Sequence, residues 1–149
     1  MEQLTERPTG LELLQAVFDG RLPRPGMGIL LGMEGASAEE GRVTFTLEPG
    51  TQHTNPMGTV HGGAAATLLD SAMTCAVQSM LPAGSWPTTL DLAVKYLKPI
   101  LPGSGTLTCE GIAVNVGGRV GTAEGRVTGE DGTLYATGTT TCLILRQDP

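Results

Sequence analysis

The chain has 149 residues, a length that fits one domain of about 100–150 residues and excludes a two-domain enzyme. Its formal net charge of −6, with one Trp, two Tyr and two Phe, argues against a nucleic-acid partner, which needs clustered Lys and Arg or aromatic stacking platforms. No uncharged apolar run reaches the ~18 residues needed to span a bilayer, so a soluble protein without a membrane partner is expected.

The N-terminal part predicts a short helix followed by a loop. Thr9 is a candidate cap, Gly20 a candidate end, and the apolar residues between them have helical spacing: Leu11, Leu13, Leu14, Val17 and Phe18. The segment RLPRPGMG breaks this pattern, and from Ile29 onward we expect an extended chain. We therefore predict an N-terminal extension over residues 1–28 and a main domain over residues 29–149.

A strand pair, a loop and a long helix are predicted next. In RVTFTLE the apolar residues Val43, Phe45 and Leu47 alternate with polar ones, as in a half-buried strand. PGTQHTNPMGTV is rich in Pro, Gly, Thr and Asn, which predicts a loop that ends at His61. Residues 63–81 are dominated by Ala, Leu and Met and stop before a proline, which predicts a helix of about five turns, apolar almost all round and therefore buried.

The remaining sequence is typical of an antiparallel meander. Alternating apolar residues predict a strand after the PAGSWP loop: Leu90, Leu92, Val94 and Tyr96. Hairpin turns are predicted at Gly117 and Gly118 and at Asp131 and Gly132, because such pairs tolerate the positive φ of tight turns. The expected fold class is α+β, with a long central helix wrapped by an antiparallel β-sheet of five to six strands.

Asp70 is an isolated carboxylate in the predicted helix. From Pro49 to Val94 the only formal charges are Asp70 and Asp91, and a carboxylate among Ala, Leu and Met is costly to bury unless it is hydrogen-bonded or faces a wet cleft. Two roles stay open for Asp70: a structural acid that caps a loop or pairs with a distant Arg, or a desolvated base or nucleophile. For Asp91 a structural ion pair or loop tether is favoured.

Gly62 and Gly63 lie where the helix is predicted to begin. Glycines at a helix start let a ligand approach the free backbone N–H groups and the positive end of the helix dipole, which together can stabilise an oxyanion. Tight packing of two backbones is the alternative. Taken alone, His61 is typical of an N-cap and Asn55 of a turn.

The spacing of Gly62 and Asp70 predicts a site shared between subunits. Eight helical residues correspond to about 12 Å of rise, whereas a nucleophile must lie within about 3.5 Å of the atom that it attacks. If both residues act on one substrate, they must come from different subunits of a homodimer with two symmetric sites. Thr74 follows Asp70 by four residues and lies on the same helical face.

The segment NPMGTVHGGAAATLLDSAMT resembles the signature of hotdog-fold acyl-CoA thioesterases, in the PaaI-like branch named after phenylacetic acid degradation. The order of predicted elements resembles that family from about Ile29 to Arg146. The resemblance implies a hotdog fold and hydrolysis of an aryl-acetyl or medium-chain aliphatic acyl-CoA to the free acid and CoA. It further implies a homotetramer built as a dimer of dimers, and neither a metal nor a cofactor besides the CoA of the substrate.

The resemblance also implies how the carbonyl of the thioester is bound. Carried over by position, the Gly62 N–H, with Asn55 nearby, polarises this carbonyl. His61 holds the Asn-bearing loop and the carbonyl pocket in shape.

Asp70 of the facing subunit is implied to be the catalytic carboxylate, either as general base or as nucleophile. Thr74 and Thr89 are implied to orient Asp70 or the water. Some relatives have Glu at this position, and the shorter Asp side chain leaves space for a water, which favours general-base catalysis.

Two stretches are implied to contact CoA. The first is the end of the YLKP segment, with Tyr96, Lys98 and Pro99, and the second is Arg119, Val120, Gly121 and Thr122. Because CoA is a polyanion, an acidic protein needs a local positive rim to bind it. The candidates for this rim are Lys95, Lys98, Arg119 and Arg126.

With few aromatic residues, the acyl pocket is expected to be lined by aliphatic side chains that include Met57, Met73 and Leu81. Cys75 is expected to be a packed small hydrophobe rather than a nucleophile. Three cysteines without paired spacing, together with the acidic start of the chain, predict a reduced, cytoplasmic setting.

Two other functions stay open from the sequence. Hotdog domains also occur as regulators that bind acyl-CoA without hydrolysis, although residues 1–28 hold only three Arg and no helix-turn-helix pattern. Others are hydratases or dehydratases, which pair a His with a carboxylate in other motif contexts, whereas HGG followed by Asp70, with Asn55, favours hydrolysis. Release of free thiol supports hydrolysis, a changed enoyl absorbance supports hydration, and saturable binding with neither supports a sensor.

Overall fold

A computed structural model describes residues 6–147. The helices are α1 (Gly10–Phe18), α2 (Gly26–Leu31) and α3 (Gly62–Gln78), with a short 3₁₀ turn at Thr51–His53. The strands are β1 (Met33–Glu39), β2 (Arg42–Leu47), β3 (Ser85–Tyr96), β4 (Leu107–Val116), β5 (Val120–Thr128) and β6 (Leu134–Arg146). All pair antiparallel in one six-stranded sheet of order β1-β2-β4-β5-β6-β3, which confirms the α+β class and the predicted central helix.

Helix α3 lies in the concave face of this sheet and contacts every strand. Its buried face is made of small and aliphatic residues: Ala65, Leu68, Leu69, Ala72, Met73, Ala76 and Val77. The opposite face, which includes Asp70 and Ser71, is half-buried, so the expectation of a helix apolar almost all round is corrected: the sheet covers one side only. Within the described residues, none of the helices combines the length and hydropathy needed to cross a bilayer.

The N-terminal helix forms as predicted, because Thr9 and Glu12 make a capping box at its start. Phe18 at its end packs edge-to-face on Phe45, with ring centroids 5.2 Å apart. The expectation of an extended chain from Ile29 is wrong, since this residue belongs to α2. Gly32 ends α2 in the left-handed conformation, at φ 71°, and only then does β1 begin.

Strand β3 is an edge of the sheet and contains a β-bulge. Thr89 pairs with Cys142 and Asp91 with Thr141, so Leu90 is the extra residue. The bulge interrupts the predicted alternation, and Leu90 and Tyr96 are 58% and 56% exposed. The predicted strand is therefore present, but part of its apolar surface is open to solvent.

Candidate active site

Asp70 lies in the middle of α3 and is held by two hydroxyl groups. Thr89 Oγ1 donates to Asp70 Oδ1 at 2.8 Å and Thr74 Oγ1 donates to the same oxygen at 3.3 Å. The two hydroxyl oxygens are 3.2 Å apart. Within residues 6–147 Asp70 forms no ion pair, and its Oδ2 has no hydrogen-bond partner, so one carboxylate oxygen is fixed and the other is free.

The register of β3 on β6 explains how Thr89 reaches the helix. Thr89 pairs with Cys142, whose Sγ lies 3.9 Å from Thr74 Oγ1 in α3, and residues directly opposite each other point to the same face of a sheet. Asp70, Thr74 and Thr89 are thus brought together from two elements, although Thr89 lies nineteen residues after Asp70 in the chain.

The start of α3 presents one free backbone donor. His61 is the N-cap: its Nδ1 accepts from the Gly63 N–H at 2.8 Å, and its carbonyl accepts from the Ala64 N–H at 2.9 Å. Tyr96 Oη donates to the Gly62 carbonyl at 2.7 Å. No residue of the described chain accepts from the Gly62 N–H, which leaves this donor available at the positive end of the helix dipole.

A cleft of about 300 Å³ adjoins Gly62 and contains the first predicted CoA-contacting stretch. Its lining includes Tyr96, Lys98 and Pro99 together with Val60, Ala65, Leu97 and Ile100. An added Cβ at Gly62 would lie 3.0 Å from the Tyr96 ring, so a side chain there needs a small shift of that ring. Glycine thus allows the close contact with Tyr96 as well as access to the Gly62 N–H.

Asn55 uses its side chain within its own loop. Its Oδ1 accepts from the Met57 N–H at 3.0 Å and from the Thr59 N–H at 3.3 Å, while its Nδ2 donates to Thr59 Oγ1 at 2.7 Å. This is the turn role that Asn has by default. Asn55 therefore shapes the loop before α3, because the hydrogen bonds of its side chain within the described chain all go to Met57 and Thr59. Its position near the thioester carbonyl stays a prediction.

His53 anchors the same loop and was missed by sequence reasoning. It is buried, its Nδ1 accepts from the Gly50 N–H at 3.0 Å, and its Nε2 donates to the Leu31 carbonyl at 2.7 Å. Its backbone carbonyl accepts from the His61 N–H at 2.7 Å. His53 thus ties α2 to the residue that caps α3; an isolated His in a polar loop has no sequence signal for this role.

The second predicted CoA-contacting stretch lies toward the other end of the sheet. Val120 pairs with Leu143, whereas Tyr96 pairs with Ala136, and seven residues of strand correspond to about 23 Å. Cys142 pairs with both Thr89 and Gly121, so this stretch belongs with Asp70 rather than with Gly62. Within one protomer the two stretches are not brought together.

Individual members of that stretch differ in exposure. Arg119 and Val120 are exposed and Thr122 is half-buried. Gly121 is buried, and an added Cβ would lie 2.6 Å from Cγ1 of Val77 in α3, so glycine at this position allows close helix–sheet packing. Its contact with CoA stays a prediction.

Two candidates for the positive rim lie elsewhere. Lys95 and Arg126 line a groove of about 720 Å³ on the sheet, together with Glu110 and Glu124. The carboxylates offset the positive charge there, and the groove contains neither Gly62 nor Asp70. Lys98 and Arg119 are therefore the basic candidates that lie near the two halves of the site.

The three residues expected in the acyl pocket do not share one. Met57 is 83% exposed on the loop before α3, Met73 is fully buried against the sheet, and Leu81 is buried beyond the end of α3. Met73 fills the core because its face of α3 points into the sheet, while the loop turn made by Asn55 leaves Met57 outside.

The surroundings of Cys75 and of Asp91 do not support a catalytic role for either side chain. Burial and the Asp70 carboxylate raise the pKa of the Cys75 thiol to about 12, so it stays protonated near neutral pH. The Asp91 side chain forms no ion pair within residues 6–147; only its carbonyl is engaged, accepting from Thr140 Oγ1 at 2.7 Å. No group of three His, Cys, Asp or Glu side chains in that range is arranged to hold a metal ion.

The protomer thus contains two candidate catalytic groups that lie apart from each other. Gly62 and Asp70 lie in the same helix, α3, with about 12 Å of helical rise between them. One group is the Gly62 backbone N–H beside a cleft, which could donate a hydrogen bond to an oxyanion. The other is a carboxylate fixed through one oxygen, suited to activation of water or to nucleophilic attack.

Comparison with known proteins assigns this arrangement to a class. The family model of the thioesterase superfamily matches residues 57–136. A Halobacterium salinarum protein whose name suggests an esterase is 38% identical over 117 residues, 75% of this chain and 73% of its own. The chain therefore belongs to the thioesterase superfamily, with the hotdog fold, and it is a thioester hydrolase.

More distant relatives agree with this assignment. Human acyl-coenzyme A thioesterase 13 is 35% identical over 63 residues, which is 42% of this chain and 44% of the human protein. The PaaI protein of the E. coli phenylacetic acid degradation operon shares the fold at a TM-score of 0.79 and 19% identity, covering 94% of this chain and 97% of its own. A Streptococcus mutans protein solved with acetyl-CoA has a TM-score of 0.71 and 27% identity, covering 78% and 91%.

Proposed function

We propose that this thioester hydrolase acts on acyl-CoA and releases the free acid and CoA in a site that two subunits share. The observation that carries the proposal is Asp70, whose Oδ1 is held by two threonine hydroxyls while its Oδ2 has no partner in the described chain. The acyl-CoA thioesterase among the relatives and the acetyl-CoA complex among the similar structures support CoA as the thiol part of the substrate.

In the proposed reaction the thioester carbonyl accepts a hydrogen bond from the Gly62 N–H of one subunit. Asp70 of the facing subunit removes a proton from water while the water oxygen attacks the carbonyl carbon. The tetrahedral intermediate then collapses with cleavage of the C–S bond, and the leaving sulfur takes up the proton that Asp70 holds. Thr74 and Thr89 keep the carboxylate oriented, and no metal or cofactor other than the CoA of the substrate takes part.

A homodimer paired through β3 is part of this proposal. The strand is twelve residues long and lies at a sheet edge, where backbone N–H and C=O groups are left for another strand. Its exposed apolar residues, Leu90 and Leu92 at 58% and 37%, support burial against a second copy. The dimer of dimers stays a prediction from the resemblance.

Replacement of Asp70 by Asn tests the proposed base. Asp70→Asn keeps the size of the side chain and removes the proton acceptor, so we expect kcat for CoA release to fall by about 100-fold or more. Glu40→Gln is the control, because it neutralises an exposed carboxylate between β1 and β2, where β1 is the sheet edge opposite β3, and it should leave kcat unchanged. Unchanged release of free thiol by Asp70→Asn from every acyl-CoA that the protein hydrolyses would overturn the proposal.

Oxygen labelling separates a general base from a nucleophile. In a single turnover with enzyme in excess in H₂¹⁸O, a general base directs the label into the released acid. A covalent acyl-Asp70 anhydride that water cleaves at the Asp70 carbonyl carbon would instead transfer an unlabelled carboxylate oxygen to the acid and retain the label on Asp70. An anhydride cleaved at the acyl carbon also gives labelled acid, so the anhydride itself is sought by mass spectrometry of protein quenched in acid during the turnover. We expect labelled acid, no label on Asp70 and no acylated protein.

A further inference from the structure

A cavity of about 320 Å³ lies between the N-terminal helices and the half-buried face of α3. Val17 and Phe18 of α1 and Met27 of α2 form its outer wall, while Met33 and Phe45 contribute from the sheet. Because these five side chains are all apolar, the cavity suits a hydrocarbon group. Its volume corresponds to about ten water molecules at ~30 Å³ each, near the lower end of the range for ligand sites.

The floor of the cavity connects it to the proposed base. Ser71 and Cys75 line it, and they are the immediate neighbours of Asp70 and Thr74 along α3. Successive helical residues are about 100° apart, so the cavity lies beside the face that presents the carboxylate. The closeness is also seen in the Cys75 thiol, whose pKa is raised by burial and by the Asp70 charge.

The charges at the rim are already engaged. Arg24 donates to the Met33 carbonyl and lies 3.8 Å from the Glu34 carboxylate, measured from Arg24 Nη1 to Glu34 Oε1. Both residues line the cavity, and they offset each other. The rim therefore offers no spare positive charge to a carboxylate at the far end of a substrate chain.

We propose that this cavity binds the acyl group of the substrate, that it selects uncharged apolar acyl groups of medium size, and that α2 sets their length limit. The inference rests on the proposed function, since it places the carbonyl end of the acyl group beside Asp70. It replaces the pocket expected from Met57, Met73 and Leu81 with one built by the N-terminal extension.

Two glycines of α2 provide a matched test. Gly28 lines the cavity, and a Cβ there would meet only the Met33 carbonyl oxygen, at 3.8 Å, so a larger side chain has space to grow into the cavity. Gly26 lies in the same short helix, has no atom within 4 Å of an added Cβ and does not line the cavity. Gly28→Leu should therefore shorten the cavity, and Gly26→Leu should change helix propensity alone.

The first measurement is calorimetric binding of S-octyl-CoA, a thioether that cannot be hydrolysed. We expect Gly28→Leu to weaken its binding about tenfold or more relative to wild type and to Gly26→Leu, without a fall in Tm. Met27→Ala should enlarge the cavity and strengthen binding of S-dodecyl-CoA relative to S-octyl-CoA. Equal binding of S-octyl-CoA by wild type, Gly26→Leu and Gly28→Leu would overturn the inference even if hydrolysis depends on Asp70.

Hydrolysis of a chain-length series is the second measurement. The ratio of kcat/KM for octanoyl-CoA to that for butanoyl-CoA should fall about tenfold or more in Gly28→Leu and stay constant in Gly26→Leu. If the wild type hydrolyses neither of these thioesters nor phenylacetyl-CoA, the proposed function fails, and the binding of S-octyl-CoA still decides whether the cavity takes the alkyl chain.

Discussion

The peptide that joins Gly62 to Gly63 is held at both ends by side chains. Tyr96 donates to its oxygen at 2.7 Å, and its N–H donates to His61 Nδ1 at 2.8 Å. Fixing this peptide restricts the neighbouring Gly62 N–H, the donor proposed to bind the carbonyl oxygen. His61 and Tyr96 thus act as positioning residues for a backbone donor, which binds an oxyanion best when its direction is set in advance.

Removal of the Gly62 N–H should reduce catalysis without unfolding α3. Gly62 is the first helical residue, where Pro is tolerated, and His61 before it has φ −58° and ψ 133°, a conformation compatible with a following Pro. We expect Gly62→Pro to lower kcat by about 100-fold relative to Gly62→Ala, as for loss of one oxyanion donor.

Gly62→Ala is the control for this comparison, because it makes the same close Cβ contact with Tyr96 and keeps the N–H. Steady-state kinetics with thiol detection, together with circular dichroism of both variants, provides the measurement. Equal kcat values for Pro and Ala at this position would show that the N–H has no catalytic role.

At the same scale, charge and spacing singled out Asp70, Gly62 and the helical neighbour Thr74, and the family resemblance added their roles and Thr89. Periodicity alone does not indicate Thr89, because its contact with Asp70 depends on the pairing of β3 with β6. Asn55 shows the reverse case: its default turn role is the one observed, because two N–H groups of its own loop lie within reach of its Oδ1.

At the scale of elements, the crossing of α3 over β4 sets how deeply the helix lies in the sheet. A Cβ at Gly111 would lie 2.2 Å from the Ala72 carbonyl oxygen, so strand and helix backbones are in direct contact. We expect Gly111→Ala to lower the free energy of unfolding by about 3 kcal/mol, because the clashing atoms belong to backbone and cannot rotate away. Thermal and urea denaturation measure this change.

Gly118→Ala is the control, in the turn that follows β4, since an added Cβ there would be 3.6 Å from the side-chain Nη2 of Arg146, an ordinary van der Waals contact. It should shift the free energy of unfolding by less than about 0.5 kcal/mol. A Gly111→Ala variant as stable as this control would contradict the packing account.

Elements with strong local signals were predicted well. The capping box starts α1, and the turn at Asp131 and Gly132 forms as expected: Asp131 Oδ1 accepts from the Thr133 N–H, which lowers the Asp131 pKa, and Gly132 has φ 84°. Helix α2 was missed because six residues between Pro and Gly provide too short a window for helical periodicity.

At the scale of the whole molecule, mixing two inactive variants tests whether subunits share each site. A dimer of one Asp70→Asn subunit and one Gly62→Pro subunit has one site with both groups intact and one site with neither. Random exchange makes about half of all dimers hybrids, so about a quarter of wild-type activity should return.

Refolding the two variants together and assaying thiol release provides the measurement, with each variant refolded alone as the control. Absence of any recovery, with hybrid formation verified by native mass spectrometry, would show that Gly62 of one subunit and Asp70 of the other do not act in one site. Sedimentation of an active monomer at assay concentration would contradict the shared site directly.

The sequence by itself determined the fold class, the central helix and the two residues on which the chemistry is proposed to depend. It could do so because periodicity, turn residues and an isolated charge are local properties of a chain. The resemblance read from the sequence also implied Thr89, but only the tertiary structure decided that Thr89 and Thr74 hold the same oxygen of Asp70. It also decided that Tyr96 and His61 hold the Gly62 peptide and that the N-terminal helices enclose a cavity beside Asp70. These features depend on contacts between residues distant in the chain, through strand pairing and the packing of α1 and α2 on the sheet, and local spacing does not record such contacts.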